Sequence, residues 1–161
     1  ALCPDYLNQK IGRDGTSNGE LCVNFQPLNF GLVSPRLFCA WNPEGVNKCI
    51  VQTPLNTALT VLYGAVPNFF EITEAYPPRV MHSSKAHYNG CAVDIKALSQ
   101  AGQPDICQTV NEIITAANSI GGGSGGGPMF SKVLNEYSAP CGTPSERSTG
   151  DHIHLEAAGC F

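Results

Sequence analysis

Short apolar stretches in the second part of the chain predict a small β-sheet. These stretches are rich in the β-branched and aromatic residues that are typical of strands. The four predicted strands cover residues 69–73, 92–95, 132–137 and 152–157.

Two helices are predicted, one before these strands and one among them. In the first helix, Thr53 is expected to be the N-cap and Pro54 the first helical residue, with an end near Gly64. Its apolar side is predicted to consist of Leu55, Leu59, Val61 and Leu62. The second helix is predicted over residues 105–120, because apolar residues recur there at helical spacing before Gly121: Ile106, Val110, Ile113, Ile114 and Ala117. These elements together predict an α+β fold, with helices packed on a small antiparallel sheet.

The remaining segments differ in composition from these elements. Residues 1–52 are rich in Pro, Gly, Asn and Cys, and we expect a disulfide-tied portion made mostly of loops. Residues 121–128 have the composition of a flexible linker. Roughly 30 residues follow that tract, too few for an independent domain. We therefore interpret it as a long mobile loop within a single domain spanning residues 1–161, with an engineered insertion as the alternative.

Composition and charge narrow the classes of function. Charged residues make up 14% of the chain and hydrophobic residues 42%, as in a folded but weakly charged protein. The net charge is −4, and there is no basic stripe that would neutralise phosphates. No apolar run approaches the roughly 20 residues that span a bilayer. We therefore expect no binding to nucleic acid or membranes. The expected oligomeric state is a monomer.

Eight cysteines indicate an oxidising environment. They are even in number and lack the Cys-x-x-Cys pair of zinc clamps and thiol-exchange motifs: Cys3, Cys22, Cys39, Cys49, Cys91, Cys107, Cys141 and Cys160. Four disulfides in a secreted, extracellular protein is the interpretation that follows, with free thiols in a cytosolic chain as the alternative. The expected pairs, chosen mainly for short separation, are Cys39 with Cys49, Cys141 with Cys160, and Cys91 with Cys107.

The histidines lie in two short segments, which indicates a shared site. The first segment holds His82 and His87, and the second holds His152 and His154. Because the second pair is two residues apart on a predicted strand, both rings are expected on one face of the sheet. His87 and Asp94 are seven residues apart, a separation that a straight strand would place on opposite faces. A loop-to-strand transition at Gly90 would bring them together.

These residue types predict a catalytic zinc site. Imidazole and carboxylate are suitable Zn²⁺ ligands, and a catalytic zinc takes three protein ligands while water or substrate occupies the fourth position. His87, Asp94 and one of the paired histidines supply that set. The other histidine of the pair can then move a proton or stabilise a tetrahedral intermediate.

The sequence around these residues resembles that of a metallopeptidase family. Residues 87–94 read HYNGCAVD and residues 152–154 read HIH. They are similar to the HxxGxAxD and HxH patterns of the zinc D-alanyl-D-alanine carboxypeptidases and L,D-endopeptidases, and of the Hedgehog signalling domain. Every fixed position of the pattern is matched, and the resemblance covers roughly residues 69–157. It does not extend to residues 1–52.

The resemblance implies a role for each residue of the pattern. His87, Asp94 and His154 would bind zinc, and His152 would be a catalytic histidine that does not bind the metal. His82 stands where the Hedgehog domain has an additional histidine close to the metal.

The carboxylate that would activate water is left between two residues. Glu136 lies on a predicted strand and has the longer reach, whereas Asp151 lies three residues before His154, as the acid does in many bacterial members. Glu136 is slightly favoured. The arginine that many peptidase members carry after a Gly-Tyr pair is not in its usual place here, and Arg79 is the nearest candidate for its role in steadying substrate and oxyanion.

The sequence therefore predicts a secreted zinc metallopeptidase that hydrolyses short peptide amides. The expected substrates are bacterial cell-wall (peptidoglycan) peptides. The alternative is a Hedgehog-like binding or structural protein, in which zinc stabilises the fold and no turnover occurs. A carboxylate within hydrogen-bond reach of an open metal position would favour the enzyme.

Overall fold

The computed structural model describes residues 25–27, 50–75, 85–88, 90–122, 126–142 and 150–160. The described elements, in chain order, are β1 (Phe25–Pro27), β2 (Ile50–Gln52), α1 (Thr53–Ala65), β3 (Phe70–Glu74), α2 (Lys85–Tyr88), β4 (Ala92–Ala97), α3 (Ile106–Ser119), β5 (Phe130–Asn135) and β6 (Ile153–Ala157). The four predicted strands correspond to β3, β4, β5 and β6, and the two predicted helices to α1 and α3. The predicted α+β class is thereby confirmed.

A four-stranded antiparallel sheet organises the described part of the chain. Its spatial order is β3-β4-β6-β5, so β4 and β6 are the central strands. One row of residues runs across all four strands at the same level: Glu74, Asp94, His154 and Leu134. Two residues that the sequence singled out for metal binding are therefore direct cross-strand neighbours.

The two faces of this sheet differ in character. Alternate residues of the central strands are fully buried in the hydrophobic core: Val93, Ile95, Ile153 and Leu155. The helices supply further fully buried residues to that core: Leu55, Ala58, Leu59, Leu62, Val110, Ile113 and Ala117. Because successive side chains of a strand point to opposite faces, Asp94 and His154 lie on the face away from this core.

The start of α1 differs by one residue from the prediction. Gln52 is the N-cap, in extended backbone and without a side-chain capping bond, and Pro54 is in the first turn, where a missing N–H costs nothing. The predicted N-cap, Thr53, is already helical. Three of the four predicted apolar positions are fully buried, but Val61 is 41% exposed and does not belong to the buried side.

Helix α3 matches its prediction closely. It begins after Asp105, whose side chain accepts a hydrogen bond from the backbone N–H of Cys107 at 2.9 Å. It ends at Ser119, just before the glycine tract. An isolated antiparallel bridge between Gly121 and Pro128 closes that tract into a loop inside the fold, although residues 123–125 lie outside the described residues.

The disulfides correct two predicted pairings. Cys91 is bonded to Cys160, and Cys107 to Cys141. The predicted pairs of Cys141 with Cys160 and of Cys91 with Cys107 are therefore wrong. These bonds link residues 69 and 34 positions apart in sequence, because the folded sheet and helix bring distant backbone together, which a preference for short loops ignores.

The N-terminal portion is described only in part. Strands β1 and β2 form a separate two-stranded antiparallel sheet. The predicted pair of Cys39 with Cys49 lies outside the described residues, as does most of the predicted loop-rich portion, residues 1–24 and 28–49. In the part of the chain that the structure describes, no helix has the length and apolar character required to span a bilayer.

Candidate metal centre

A sharp turn between α2 and β4 brings His87 close to Asp94. The backbone N–H of Cys91 donates to the carbonyl of Ala86 at 2.9 Å, which folds the short helix back towards the strand. Gly90 lies in this turn with φ of 73°, a left-handed conformation that favours glycine. The predicted change of direction at Gly90 is present and resolves the odd spacing of the two residues, although a short helix rather than a loop precedes it.

The register of the central strands brings the third residue into place. His154 lies directly opposite Asp94 in the ladder between β4 and β6. Residues opposite each other in an antiparallel pair have side chains on the same face, about 5 Å apart at Cβ. The geometry of the sheet, rather than closeness in sequence, therefore assembles the group.

The three side chains form a compact triangle of donor atoms. His87 Nε2 is 3.2 Å from Asp94 Oδ1 and 3.2 Å from His154 Nδ1, and the third side, from His154 Nδ1 to Asp94 Oδ1, is 3.3 Å. All three residues are buried, with His87 fully so. Together they form a group that could hold a metal ion.

The size and chemistry of this triangle fit a small, borderline-soft cation. Tetrahedral ligands at about 2.0–2.1 Å from a common centre lie roughly 3.3 Å from each other, the separation found here. Two imidazole nitrogens and one carboxylate oxygen suit zinc and similar transition metals better than calcium or magnesium, which prefer all-oxygen ligands.

Within the group, the buried carboxylate and the buried imidazoles shift one another's pKa. Burial by itself would raise the pKa of the Asp94 carboxyl, but hydrogen bonds from His154 and His87 and the positive charge of the histidines hold that pKa well below its usual range. Burial would likewise lower the pKa of the His154 ring. Hydrogen bonds and charge attraction from Asp94 and Glu156 outweigh that effect and raise the pKa of His154 to about 9. In the absence of a cation, the His154 ring therefore holds an extra proton at neutral pH.

His152 and Glu136 lie beside the triangle. His152 Nε2 is 3.5 Å from Asp94 Oδ1 and 3.2 Å from Glu136 Oε2. The side chains of His152 and Glu136 are 10% and 16% exposed, so they are close to the surface while the triangle is deeper. The structure brings both residues together with the three residues of the triangle.

Backbone contacts hold this pair in position. The backbone N–H of Glu136 donates to the carbonyl of His152 at 3.0 Å, which extends the ladder between β5 and β6 beyond the end of β5. The carbonyl of Gly150 lies 2.7 Å from His152 Nδ1 and accepts a hydrogen bond from that nitrogen. The ring therefore turns Nε2 towards Glu136 and Asp94.

Asp151, the other candidate acid, has a different environment. Its exposed carboxylate accepts hydrogen bonds from the backbone N–H of Ser138 at 2.9 Å and from the Ser138 hydroxyl at 2.6 Å. These bonds lower the pKa of Asp151. The contacts tie the segment after β5 to the segment before β6, and they do not involve the triangle.

Three residues near the triangle had no role in the sequence analysis. Glu156 Oε2 lies 2.6 Å from His154 Nε2, the ring nitrogen that faces away from the triangle. Glu74, opposite Asp94, is 6% exposed, and Leu134, opposite His154, is 40% exposed. The alternation His152, His154, Glu156 could have indicated the first of these, because every second residue of a strand shares a face. The positions of Leu134 and Glu74 beside the triangle follow from the strand register, which the sequence does not determine.

Two candidate residues, Arg79 and His82, lie outside the described residues. Comparison with known proteins adds no assignment to this geometry. No protein-family model matches the chain, and no curated protein matches it either.

Proposed function

We propose that this protein is a zinc-dependent hydrolase that cleaves amide bonds of short peptides outside the cell. The observation that carries this proposal is the contact between His152 and Glu136 beside a triangle of metal-ligand geometry. A purely structural metal requires four protein ligands, and it does not require an acid–base pair such as His152 and Glu136 beside them.

The three donor atoms of the triangle suit zinc, which acts as a Lewis acid when it is bound. His87, Asp94 and His154 would hold it through the atoms that form the triangle. A bound Zn²⁺ polarises a carbonyl oxygen, and it lowers the pKa of a water molecule to about 7.

The acid–base work falls to the neighbouring pair. Because the Nδ1–H of His152 donates a hydrogen bond to the carbonyl of Gly150, the neutral ring has only a lone pair on Nε2. A hydrogen bond between Nε2 and the Glu136 carboxylate, which can only accept when ionised, therefore requires one further proton between them. Glu136 can accept a proton from the water that attacks the amide carbonyl. His152, when both its nitrogens are protonated, can donate to the carbonyl oxygen or the leaving amine.

The substrate class is argued from the surroundings and from the sequence pattern. The exposed side chain of Leu134 lies across from His154 and offers an apolar contact beside the site. Two disulfides among the described residues suit an oxidising, extracellular setting. The resemblance to zinc carboxypeptidases and endopeptidases favours bacterial cell-wall peptides, which are short and lie outside the cell.

The test is digestion of purified peptidoglycan, with release of new amine termini as the readout. The wild-type chain is compared in zinc and in chelator, together with Glu136→Gln and Asp151→Asn. Both variants replace a carboxylate by an amide of the same shape. We expect Glu136→Gln to reduce turnover by about 100-fold or more, because it removes the proton acceptor. Asp151→Asn should retain most activity, because its amide oxygen can still accept from Ser138.

The outcomes separate the enzyme from the alternative. A wild-type protein that binds zinc but releases no new termini from peptidoglycan or from short synthetic peptides would refute the hydrolase. The Hedgehog-like interpretation, a zinc-stabilised protein without turnover, would then stand. Equal loss of activity in both carboxylate variants would instead refute the assignment of Glu136.

A further inference from the structure

Glu156 contacts His154 at the ring nitrogen that faces away from the triangle. Its Oε2 lies 2.6 Å from Nε2 of His154, while Nδ1 of the same ring lies 3.2 Å from His87 Nε2. The Glu156 side chain is 16% exposed, so the contact is shielded from most solvent. His154 therefore bridges the triangle and a carboxylate, with one ring nitrogen for each.

This contact determines which nitrogen of His154 is available to a cation. A neutral imidazole carries its proton on one nitrogen and a lone pair on the other, and an ionised carboxylate can only accept a hydrogen bond. The proton must therefore lie on Nε2, where Glu156 accepts it. The lone pair is then on Nδ1, which points at the other two donor atoms.

The neighbouring histidine shows the opposite arrangement. The carbonyl of Gly150 accepts from Nδ1 of His152, which leaves Nε2 facing Glu136. Two histidines separated by one residue are thus fixed in opposite orientations by two different acceptors.

We propose that Glu156 is a positioning residue that makes Nδ1 of His154 the metal-binding atom. A carboxylate behind a ligating histidine fixes the orientation of the ring and makes the ligand more basic. The inference rests on the metal site of the proposed function, and it does not depend on peptide hydrolysis.

The ion pair with Lys132 is the weaker of the two contacts that the Glu156 carboxylate makes with Lys132 and His154. Lys132 Nζ lies 3.9 Å from Glu156 Oε2, and its side chain is 52% exposed, so solvent screens that pair. The bond to His154 is shorter and more buried. Lys132 is opposite Glu156 across the strand ladder and can limit its motion, but of these two contacts the one to the ring nitrogen is the closer.

The experiment measures zinc affinity and the state of the His154 ring in the same samples. Zinc affinity is obtained by competition with a chromophoric chelator. The coordinating nitrogen is identified by long-range ¹H–¹⁵N spectra of the zinc-loaded protein labelled at histidine. The variants are Glu156→Ala and the conservative Glu156→Gln, whose side-chain oxygen can still accept from Nε2. The matched control is Glu71→Ala, since Glu71 is also a strand residue opposite a lysine, Lys96.

We expect Glu156→Ala to weaken zinc binding by about 10–100-fold. The His154 Nε2 proton signal should shift or broaden in this variant, because its acceptor is gone. Glu156→Gln should recover part of the affinity and keep Nδ1 as the coordinating atom, while Glu71→Ala should match the wild type. Circular dichroism of each variant shows whether the fold is kept, and the conservative variant carries the test if Glu156→Ala does not fold.

Two results would overturn the proposal. One is zinc affinity in both Glu156 variants within twofold of the wild type, and the other is coordination of zinc through Nε2 in the wild type. Zinc binding with the expected dependence on Glu156, but without hydrolysis of any peptide, would leave this inference intact and refute only the hydrolase. A wild-type chain that binds no zinc would refute both.

Discussion

Individual residues in the candidate site are buried although they are polar or ionisable. His87, Asp94 and His154 are 0%, 4% and 5% exposed. Burying such groups costs free energy unless each finds a partner, and here each one lies within 3.3 Å of the other two. This mutual dependence means that the proton content of the group and its affinity for a cation are linked.

We expect the apparent zinc affinity to increase steeply with pH. The pKa of His154 is raised to about 9 in the metal-free protein, so the ring holds an extra proton at neutral pH. Zinc binding must displace that proton, since a protonated nitrogen has no lone pair to offer. Affinity should therefore rise about tenfold per pH unit between roughly pH 6 and pH 8, and level off as pH approaches the raised pKa.

Competition titrations with a chelator of known proton affinity, at three pH values, measure this slope. The same titrations of Glu71→Ala give a control, because Glu71 lies opposite Lys96 in the sheet and is not among the triangle residues. An affinity that stays constant over this range would show that His154 is not protonated in the metal-free protein.

Single residues also show what the sequence can and cannot predict about the site. Spacing predicted that His87, Asp94 and one histidine of the second pair would share a site, and the resemblance chose His154 as that ligand; the structure brings these three side chains together. The choice between Glu136 and Asp151 stayed open, because it depends on which side chain the turn after β5 directs towards His152. That direction is set by the Ser138 contacts and by the strand ladder, neither of which is a local property of the sequence.

At the scale of elements, helix α1 and the sheet are held together by one apolar side. Leu55, Leu59 and Leu62 are fully buried against the core residues of the sheet, whereas Val61 is 41% exposed. The prediction grouped Val61 with the leucines, although at 3.6 residues per turn Val61 lies about 100° or more around the helix from each of them. Burial in the folded state separates them.

Two adjacent alanine substitutions should therefore have very different effects. Leu62→Ala creates a cavity in the core and is expected to lower the free energy of unfolding by about 2–5 kcal/mol. Val61→Ala removes an exposed side chain from a helix and should change that free energy by about 0.5 kcal/mol or less. Denaturant unfolding monitored by circular dichroism gives both values, and similar losses in the two variants would contradict the orientation of α1.

The strands and helices were predicted better than the disulfides, for a physical reason. Strand composition and helical periodicity are local, so β4 and α3 could be predicted to within about two residues. Disulfide pairing depends on which distant segments the fold brings together. Cys91 and Cys160 meet only because β4 and β6 are neighbours in the sheet.

For the molecule as a whole, the candidate metal-binding group joins three elements that are distant in sequence. His87 belongs to α2, Asp94 to β4 and His154 to β6. A ligand that binds all three at once binds only the folded chain. Such a ligand stabilises the fold by an amount that grows with the logarithm of its concentration once that concentration exceeds the dissociation constant.

Zinc should therefore raise the midpoint of thermal unfolding. At a free concentration one hundred times the dissociation constant, the stabilisation is about 2.7 kcal/mol, which corresponds to roughly 5–10 °C for a chain of this size. Calorimetry in zinc and in chelator measures the shift, and Asp94→Asn should abolish it. A midpoint unaffected by zinc in the wild type would argue against a site shared by the three elements.

The two described disulfides have a further consequence for a broken chain. Each joins a cysteine that precedes the glycine tract to one that follows it: Cys91 to Cys160 and Cys107 to Cys141. A single backbone nick in the tract would place His87 and Asp94 on one fragment and His154 on the other. The nicked protein would nevertheless migrate as one band on a gel without reductant and separate into two bands only after reduction. The three donor side chains would stay together after such a cut, because sulfur–sulfur bonds would replace the lost continuity of the backbone.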